Sequence, residues 1–547
     1  IVLMAILLSV SSYFRASYLT YDILPGGDTG YHIAVSKMTL ESLPFTPIYD
    51  RFSKGSMPHL YPPVTHYLVA LVAYITHMEV QTAFKYTMFI VNALMVIPVY
   101  LIVSKIDGRL SAFISGIFVA ATPAFYEESL HGGFSAMNLG LLLATIPIYF
   151  MISEKTRLVI ITTALVFYTH PVTFTPFAIL LSAHYLWNAA FYGFKRNMEK
   201  AKKFVSNYLA IIIGVFALSL GYLTLLYYPP MYSLKVGSAQ NFSAASFWEA
   251  ASATLSFIMK RLPSAILLFG LLGAIRICIH KKNHWLFSWL LAVFIGMVLN
   301  RLGILTIGEF RWHKAFYVWS TGYVILAGTG FTYLVELLDQ AFPYILKFML
   351  RSDVQKVWGR FSRHLSLLTV AVLLGLMFHR AVAFTPPSPT ISIYDVDAMT
   401  WLKENTEPYA VIVTKENEGY WLEALAERIS VVGGYSLPFT DVFTRLNDIH
   451  RIYWGGASPE EIEGIMRSYG ANYLYTHRPF DFDNLKLVYN NTEVYIYRLA
   501  EPVQPVELRK VAIAVRSSTY LQDISKWEHT SGLIKDGPAE IDDLSED

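Results

Sequence analysis

Long apolar segments recur through the first 385 residues of the chain, and they constrain its fold more than any other feature. A membrane-spanning helix needs about 20 apolar residues, and somewhat fewer where neighbouring helices tolerate a short or broken span. Only 15% of the residues are charged, against roughly 25% in an average soluble domain. We therefore predict a polytopic α-helical membrane protein with about 11 transmembrane helices. The predicted spans lie near residues 1–20, 84–104, 110–125, 134–152, 157–170, 172–190, 204–227, 263–279, 285–300, 314–338 and 365–384.

The charge balance and the cysteine count exclude two further kinds of function. Lys and Arg number 43 and Asp and Glu number 41, which gives a formal net charge of +2. Because there is no basic excess to neutralise a phosphate backbone, we predict no nucleic-acid partner. The single cysteine, Cys278, allows neither a disulfide framework nor a cysteine-based metal site. The sequence begins at Ile1 inside an apolar stretch, and we expect a trimmed N-terminus that retains part of a first membrane helix.

The positions of Lys and Arg in the short loops predict how the chain is oriented. Successive clusters are separated by two predicted crossings each, so all of them lie on one side of the membrane. The positive-inside rule identifies that side as the cytoplasm. The C-terminal domain follows one crossing later, so we predict a multi-pass protein of the cell membrane with this domain outside the cytoplasm. The clusters are Lys105/Arg109, Lys155/Arg157, Lys195 to Lys203, Arg276 to Lys282, and Lys347 to Arg363.

Residues 60–77 are apolar enough to pass for a further span. A crossing there would place Asp28 in the cytoplasm, away from the C-terminal domain. The Pro62-Pro63 pair, the interfacial tyrosines and the histidines His59, His66 and His77 favour instead a helix that lies in the outer interface of the membrane. We favour this interpretation, in which residues 21–83 form a long first external loop, and the spanning alternative stays open.

The Pro-rich stretch 385–389 marks the end of the membrane domain, which we assign to residues 1–385. The following residues, 386–520, alternate apolar strand patterns with helical patterns and predict an extracytoplasmic α/β domain. We expect strands at 409–413, 429–432 and 471–475, a helix at 418–427, a capping box at Ser458-Pro459-Glu460-Glu461, and a hairpin formed by 486–489 and 493–497. Residues 521–547 end in an acidic run and are predicted to be a flexible tail.

Charged residues beside a membrane are costly and are therefore candidates for function. The first group is Gly26-Gly27-Asp28-Thr29-Gly30-Tyr31-His32, just beyond the first predicted span. Asp28 and His32, four residues apart, are expected to share one face of a helix, where oxygen and nitrogen ligands suit a divalent cation. Alternatively, Asp28 caps a helix that begins at Thr29. Both interpretations are compatible with a catalytic role.

Two more charged groups lie on the same predicted external face. Glu127, Glu128 and His131 precede the fourth span, and a solvated loop is the alternative interpretation. Arg311 and His313 open the tenth span, where Arg can clamp a lipid phosphate by bidentate hydrogen bonds. Snorkelling of these side chains to the interface is the alternative. Together, carboxylates beside a membrane-embedded cation are what sugar transfer from a lipid phosphate requires.

The order of these features resembles that of the GT-C membrane glycosyltransferases, and most specifically the catalytic subunit of oligosaccharyltransferases. In that family an Asp follows the first transmembrane helix in an Asp-x-x-x-His/Tyr pattern, which Asp28 and His32 match. A Tyr-Pro helix lies along the membrane in the first external loop, and Tyr61-Pro62-Pro63 resembles its start. An Arg at the start of a late span binds the lipid-linked pyrophosphate in the family, and Arg311 matches it. In the soluble part, 397–428 runs like the region around the family's Trp-Trp-Asp-x-Gly signature.

Two motifs depart from the family pattern. Lys415-Glu416-Asn417 occupies the Trp-Trp-Asp positions, and because that triplet recognises the hydroxyl residue of the glycosylation sequon, its absence argues against Asn-linked protein glycosylation. Where the family places its second pair of acids, this chain has Ser135-Ala136-Met137, and Glu127 and Glu128 lie earlier. A metal site therefore has different ligands or fewer. The resemblance implies a GT-C fold and a polyprenyl-phosphate or polyprenyl-diphosphate donor, and it does not specify the acceptor.

We therefore expect an inverting membrane glycosyltransferase that moves a sugar from a polyprenyl-phosphate-linked donor to an acceptor on the external face. Asp28 and Glu128 are the predicted catalytic residues, and Arg311, His313 and Tyr31 are predicted to bind substrate. A divalent metal, Mg²⁺ or Mn²⁺, is the candidate cofactor, with ligands drawn from Asp28, His32, Glu128 and His131. The acceptor is open between a lipid, a glycan and a protein. Two alternatives remain: oligosaccharide transfer to protein with a degenerate acceptor site, and a non-catalytic lipid-binding or transport protein.

Overall fold

A computed structural model gives the architecture of the chain. It describes residues 1–43, 61–122, 125, 135–225, 234–236, 244–280, 283–302, 305–307, 312–350, 372, 375, 389–433 and 442–503. Helices dominate the first 350 residues. They are α1 (Val2–Arg15), α2 (Gly27–Ser42), α3 (Val64–Thr76), α4 (Val80–Leu94), α5 (Val96–Ile106), α6 (Arg109–Ala121), α7 (Ser135–Ile152), α8 (Thr156–Phe167), α9 (Pro171–Phe194), α10 (Met198–Leu225), α11 (Ala244–Arg261), α12 (Ser264–His280), α13 (Trp285–Arg301) and α14 (Trp312–Leu350).

Ten of the eleven predicted spans fall on these helices, and the eleventh, 365–384, lies outside the described residues. By length and composition, three helical stretches of the described chain are able to cross a membrane: Val80–Ile106, Met198–Leu220 and Trp312–Gln340. Helices α11 and α12 form a fourth candidate, bent by 117° at a short break. Six further apolar helices of the described chain have 10–17 residues, which is shorter than a typical span. The count of eleven therefore stays a prediction, while the apolar helices indicate a membrane protein.

Helix α3 occupies the segment whose interpretation the sequence leaves open. It begins after Pro63 and ends at His77, whose φ of 55° is left-handed. At 13 residues it is about 20 Å long, which is shorter than the hydrocarbon core of a bilayer. Its buried side packs on α2, while Tyr74 and Ile75 on the other side are exposed. The length supports the interfacial interpretation, and its position in a membrane stays a prediction.

Close packing of α12 on α14 depends on small residues. A Cβ atom on Gly273 would collide with the carbonyl of Leu326, and one on Gly330 would collide with the carbonyl of Phe269. Helices with glycine at the contact can bring their backbones close together. Inside a membrane, the van der Waals contacts of such close packing stabilise the helix pair in place of the hydrophobic effect. Large aromatic side chains, among them Trp289 and Phe316, fill the surrounding core.

A charged cluster links four of the helices at the end of the bundle opposite to α2 in the predicted topology. Arg276 of α12 forms ion pairs with Asp107, which follows α5, and with Glu336 of α14, each at 2.9 Å. The Ser111 hydroxyl of α6 donates to Asp107 at 2.6 Å and shares a hydrogen bond with Thr332 of α14. Only 15% of the Arg276 side chain is exposed. The cluster therefore holds these helices together through a largely buried cation.

Residues 391–433 and 442–503 form a helix-flanked sheet. Its elements are α15 (Ile393–Asn405), β3 (Val411–Val413), α16 (Glu416–Leu425), β4 (Ile429–Ser430), α17 (Val442–Tyr453), α18 (Pro459–Ser468), β5 (Tyr473–Thr476), β6 (Leu485–Asn490) and β7 (Tyr495–Leu499). The strand order is β4-β3-β5-β7-β6. Strands β4, β3 and β5 are parallel, and β7 and β6 are antiparallel additions at one edge. A separate pair, β1 (Leu234–Val236) and β2 (Leu305–Ile307), is antiparallel.

The sequence-based prediction of these elements is confirmed, with ends that shift by about two residues. The predicted hairpin is β6 and β7, and the predicted capping box at Ser458 is present, with Pro459 in the first turn of α18. Trp421 of α16 is fully buried between the sheet and α2. The α/β part therefore has its own apolar core and shares part of it with α2.

Helices α2 and α16 run side by side in the same direction. Gly30 lies against the backbone of Tyr420, and further along Lys37 donates to the Ala424 carbonyl at 2.7 Å and pairs with Glu427 at 3.0 Å. Because the helices are parallel, their N-termini lie at the same end, where both helix dipoles are positive. This contact brings the start of α16 to the start of α2, which carries Asp28.

Candidate functional site

Asp28 lies in the first turn of α2, where the chain changes direction sharply. Gly26 has a φ of 100°, a left-handed conformation that favours glycine, and its amide donates to the Thr390 hydroxyl at 2.7 Å. The helix begins at Gly27, so the alternative in which Asp28 caps a helix starting at Thr29 is wrong. Asp28 is exposed, and its carboxylate is favoured there by the positive end of the helix dipole.

The first turn of α16 lies directly beside Asp28. A Cβ atom on Gly27 would be 2.8 Å from Oδ1 of Asn417, and the rings of Tyr31 and Tyr420 are 6.4 Å apart. Burial raises the pKa of Tyr420 well above its usual value, and the negative charges of Glu416 and Asp28 raise it further. The Lys415-Glu416-Asn417 segment, which replaces the family's Trp-Trp-Asp, is therefore adjacent to the predicted catalytic carboxylate.

His32 is buried one turn further along α2 and is hydrogen-bonded to a second histidine. Its Nδ1 lies 2.9 Å from Nε2 of His66 on α3, and both rings contact Tyr61. One of the two facing nitrogens donates and the other accepts, so Nδ1 of His32 is engaged in this pair. Tyr31, the predicted substrate-binding residue, is 2% exposed and packs against Tyr61. Sequence reasoning missed His66 because 34 residues separate it from His32.

The predicted metal ligands are only partly described. Asp28 and His32 lie on one face of α2 as expected, although Asp28 is exposed and His32 is buried. Glu128 and His131 lie outside the described residues. Within the part of the chain that the structure describes, no group of three or more His, Cys, Asp or Glu residues is arranged to hold a metal ion. The two described residues alone do not fit a metal site.

Basic side chains lie at the start of α14. Arg311 lies outside the described residues, while His313 is half-buried in the first turn of the helix. The Trp312 amide donates to Oδ1 of Asn300 at 3.0 Å, and the guanidinium of Arg301 lies 4.5 Å from the Trp312 ring centre. A helix N-terminus with cations around it favours an anion.

A second arginine reaches α14 from the bent α11–α12 pair. Arg261, the last residue of α11, donates to the Tyr317 hydroxyl at 3.2 Å and stacks over Phe257. Sequence reasoning did not assign it a role, because neither its partner nor the 117° bend that brings it to α14 is visible in the sequence. Through Tyr317, Arg261 contacts α14 within two turns of His313.

Arg15 is a further charged residue that sequence reasoning missed. It is 1% exposed at the end of α1, and its guanidinium donates to the carbonyls of Ala120 at 3.1 Å and Ser11 at 3.2 Å. Ala120 lies in the last turn of α6, where unpaired carbonyls carry the negative end of the helix dipole. The sequence signal that could have identified Arg15 is a single arginine within an apolar span.

Comparisons of the whole fold identify similar solved structures. The apo oligosaccharyltransferase from Archaeoglobus fulgidus is 13% identical, with a TM-score of 0.58 over 87% of this chain and 69% of that protein. Apo ArnT from Cupriavidus metallidurans is 11% identical, with a TM-score of 0.54 over 90% of this chain and 97% of that one. The mycobacterial arabinofuranosyltransferase AftD is 14% identical, with a TM-score of 0.57 over 92% of this chain and 40% of that one.

No protein-family model and no curated protein sequence matches the chain. The three structures named are GT-C glycosyltransferases, so the resemblance inferred from the sequence is confirmed at the level of the fold. At 11–14% identity the likeness identifies the fold and not the substrates.

Proposed function

We propose that the chain is a membrane glycosyltransferase that transfers a sugar from a polyprenyl-phosphate-linked donor to an acceptor hydroxyl at the extracytoplasmic face, with inversion at the sugar carbon. The observation that carries the proposal is the position of Asp28, an exposed carboxylate at the junction of α2 and α16 in a chain with the GT-C fold. Two structures of similar fold add support: an Archaeoglobus fulgidus oligosaccharyltransferase with dolichol-phosphate and ArnT with undecaprenyl phosphate.

In the proposed step Asp28 acts as general base. The acceptor hydroxyl donates a hydrogen bond to its carboxylate, and the hydroxyl oxygen attacks the anomeric carbon of the donor sugar. The bond from that carbon to the phosphate oxygen breaks on the opposite face, and the polyprenyl phosphate keeps the electron pair. The proton of the hydroxyl passes to Asp28. Glu128 is the proposed second carboxylate of this step, and it lies outside the described residues.

The leaving phosphate needs positive charge in a water-poor setting. Arg311 is the proposed clamp, His313 assists it from the first turn of α14, and Arg261 and Arg301 add charge around the same helix end. Such fixed donors and cations act most strongly where negative charge develops in the transition state. We propose that these residues hold the donor headgroup while α2 presents Asp28 to the acceptor.

Tyr31 and the His32–His66 pair have a different proposed role. All three side chains are buried at the contact of α2 with α3. Their packing fixes the orientation of α2 and hence the position of Asp28, so we treat them as positioning residues. A direct contact of Tyr31 with substrate stays a prediction from the sequence.

A divalent metal is a further part of the proposal that rests on the sequence. A structure of the Archaeoglobus fulgidus oligosaccharyltransferase is a complex with zinc and sulfate. In this chain Asp28 and His32 do not make a site by themselves, and Glu128 and His131 would have to complete it. When bound, the ion would supply Lewis-acid stabilisation of the donor phosphate.

The proposal is tested by following the donor. Wild-type protein in nanodiscs is incubated with sugar-labelled polyprenyl monophosphate or polyprenyl diphosphate and an extract of cell envelopes as acceptor. We expect release of the free polyprenyl phosphate or diphosphate together with labelled product whose anomeric configuration is inverted. Donor that stays intact with both lipids, or product that retains its configuration, would contradict the proposal.

A further inference from the structure

The strand order of the α/β part reverses between β3 and β5, and we call the surface beside the carboxyl ends of these two strands the crevice. From β3 the chain passes through α16 to β4 on one side, and then crosses to β5 on the other side of β3. In open parallel sheets, ligands bind outside the carboxyl ends of the strands where the strand order reverses in this way. Here that point lies between β3 and β5, at the residues that follow each strand.

The residues at this point carry charges of both signs and pair with one another. Lys415, after β3, lies 3.6 Å from Glu418 in the first turn of α16. His477, after β5, has Nδ1 3.7 Å from Glu418 and Nε2 2.8 Å from Asp395 of α15. The side chains of Lys415 and His477 are each 30% exposed. The crevice therefore presents both hydrogen-bond donors and hydrogen-bond acceptors, and it carries little net charge.

An exposed aromatic side chain flanks the crevice. Trp454 directly follows α17 and is 60% exposed, and its ring lies 5.7 Å from Nζ of Lys415. The backbone around it is fixed, because Tyr453 is buried and donates to the carbonyls of Val413 and Tyr475 at the ends of β3 and β5. The indole is thus held at the crevice by a rigid support rather than by a loose loop.

The first turn of α16 borders both the crevice and the start of α2. Lys415 and Glu418 lie on either side of Asn417, and Asn417 contacts Gly27, the residue before Asp28. A molecule that contacts Trp454 and Lys415 therefore lies at the end of α16 that also contacts the start of α2.

We propose that this crevice binds the acceptor and that the acceptor is a saccharide, an inference that rests on the proposed function. The C–H face of a sugar ring is apolar and stacks on an indole, as Trp454 presents it. Sugar hydroxyls both donate and accept, which matches Lys415 and His477 beside Glu418 and Asp395. An anionic lipid headgroup or an anionic peptide would need an excess of positive charge, and here the cations are balanced by carboxylates.

The test uses full-length protein in nanodiscs and saturation-transfer NMR. The probes are methyl glycosides of glucose, mannose, galactose and N-acetylglucosamine with their disaccharides, a peptide that contains a glycosylation sequon, and, as the lipid arm, phosphatidylglycerol vesicles. We expect saturation transfer to at least one glycoside, a loss of about tenfold in affinity in Trp454→Ala, and near-complete recovery in Trp454→Phe. Tyr409, a similarly exposed aromatic residue before the amino end of β3, provides the matched control, and Tyr409→Ala should keep wild-type binding.

Binding of the peptide or the vesicles without any glycoside, or equal affinities in wild type and Trp454→Ala, would overturn the inference. Kinetics separate this result from a failure of the proposed function. Trp454→Ala should raise the KM for the acceptor about tenfold, with a smaller change in kcat. An unchanged KM refutes the acceptor site alone, whereas transfer that survives the loss of the Asp28 carboxylate refutes the proposed function.

Discussion

Gly30 of α2 and Tyr420 of α16 are in backbone contact. A Cβ atom on Gly30 would lie 2.7 Å from both the carbonyl carbon and the carbonyl oxygen of Tyr420. Real Cβ atoms do not approach backbone this closely, so the two helices meet at this distance only because residue 30 is a glycine. The contact fixes the spacing between Asp28 and the first turn of α16.

Substitution of Gly30 by Ala should therefore separate the two helices. We expect a lower melting temperature and a loss of transfer of at least about tenfold, because misplacing a reacting group by a fraction of an ångström is costly. Gly464→Ala in α18 is the matched control, since nothing lies near its Cβ position. It should stabilise the protein by about 0.5–1 kcal/mol. Equal behaviour of the two variants in thermal melting would show that the α2–α16 contact is not tight.

Local sequence signals predicted much of the secondary structure. The Ser458-Pro459-Glu460-Glu461 capping box and the hairpin around Asn490-Asn491 are confirmed, because each is determined by residues within one turn. The GT-C fold is confirmed as well, because the order of apolar segments and motifs along the chain reflects it. The number of spans is not confirmed, because several helices are shorter than the apolar runs that predicted them.

The contacts of the candidate site could not be predicted in the same way. Asp28 meets α16 almost 390 residues later, and His32 pairs with His66 from a different helix. Arg261 reaches Tyr317 only because α11 and α12 are sharply bent. These contacts depend on tertiary packing, and a single sequence carries no local signal for which distant helix faces will meet.

The His477–Asp395 pair should make stability depend on pH. The hydrogen bond to Asp395 raises the pKa of His477 above 6.5, against the opposing effect of burial. A raised pKa in the folded state means that the protonated imidazolium stabilises the fold fully below about pH 6.5, and that this contribution is lost as pH rises through the higher pKa. Melting temperatures of the full chain between about pH 6 and pH 9 should fall more in wild type than in His477→Gln.

Asp395, the carboxyl partner of His477, makes the stability of the fold depend on pH in the acid range. Burial alone would raise the pKa of Asp395, but hydrogen bonds from His477, Tyr475 and the Ser392 amide outweigh it and lower the pKa below 3.8. Its contribution is therefore present above that value and lost in strong acid.

His450, an exposed histidine of α17, provides the control for the melting experiment on His477→Gln, in the form of His450→Gln. If His477→Gln and His450→Gln show the same pH profile as wild type, the ion pair does not stabilise the fold.

Arg276 should contribute strongly to the stability of the helical part. Arg276→Met leaves Asp107 and Glu336 close together without their cation, and we expect a loss of roughly 3 kcal/mol in the free energy of unfolding. The exposed pair Lys203–Glu154 is the comparison, and Lys203→Met should change stability by less than about 1 kcal/mol. The measurement is thermal or denaturant unfolding in detergent. A smaller effect for Arg276 than for Lys203 would contradict the structural role of the cluster.

The predicted metal site makes a prediction about Glu128. Chelation by EDTA should lower the rate of transfer, and Mg²⁺ or Mn²⁺ should restore it. Because chelation and Glu128→Gln would remove the same site, their effects should not add. Transfer assays on both proteins with and without EDTA test this directly. Full activity in EDTA would remove the metal from the proposal while leaving the role of Asp28 intact.

The role of Asp28 is the central claim and is tested most directly by the rate of sugar transfer from a polyprenyl-phosphate-linked donor. The variants are Asp28→Asn, which keeps the size of the side chain, and Asp22→Asn, an exposed carboxylate ahead of α2 that serves as control. General-base catalysis by a positioned carboxylate predicts that Asp28→Asn falls by about 10²–10⁴-fold while Asp22→Asn keeps the wild-type rate. Transfer by Asp28→Asn at the wild-type rate would contradict the account.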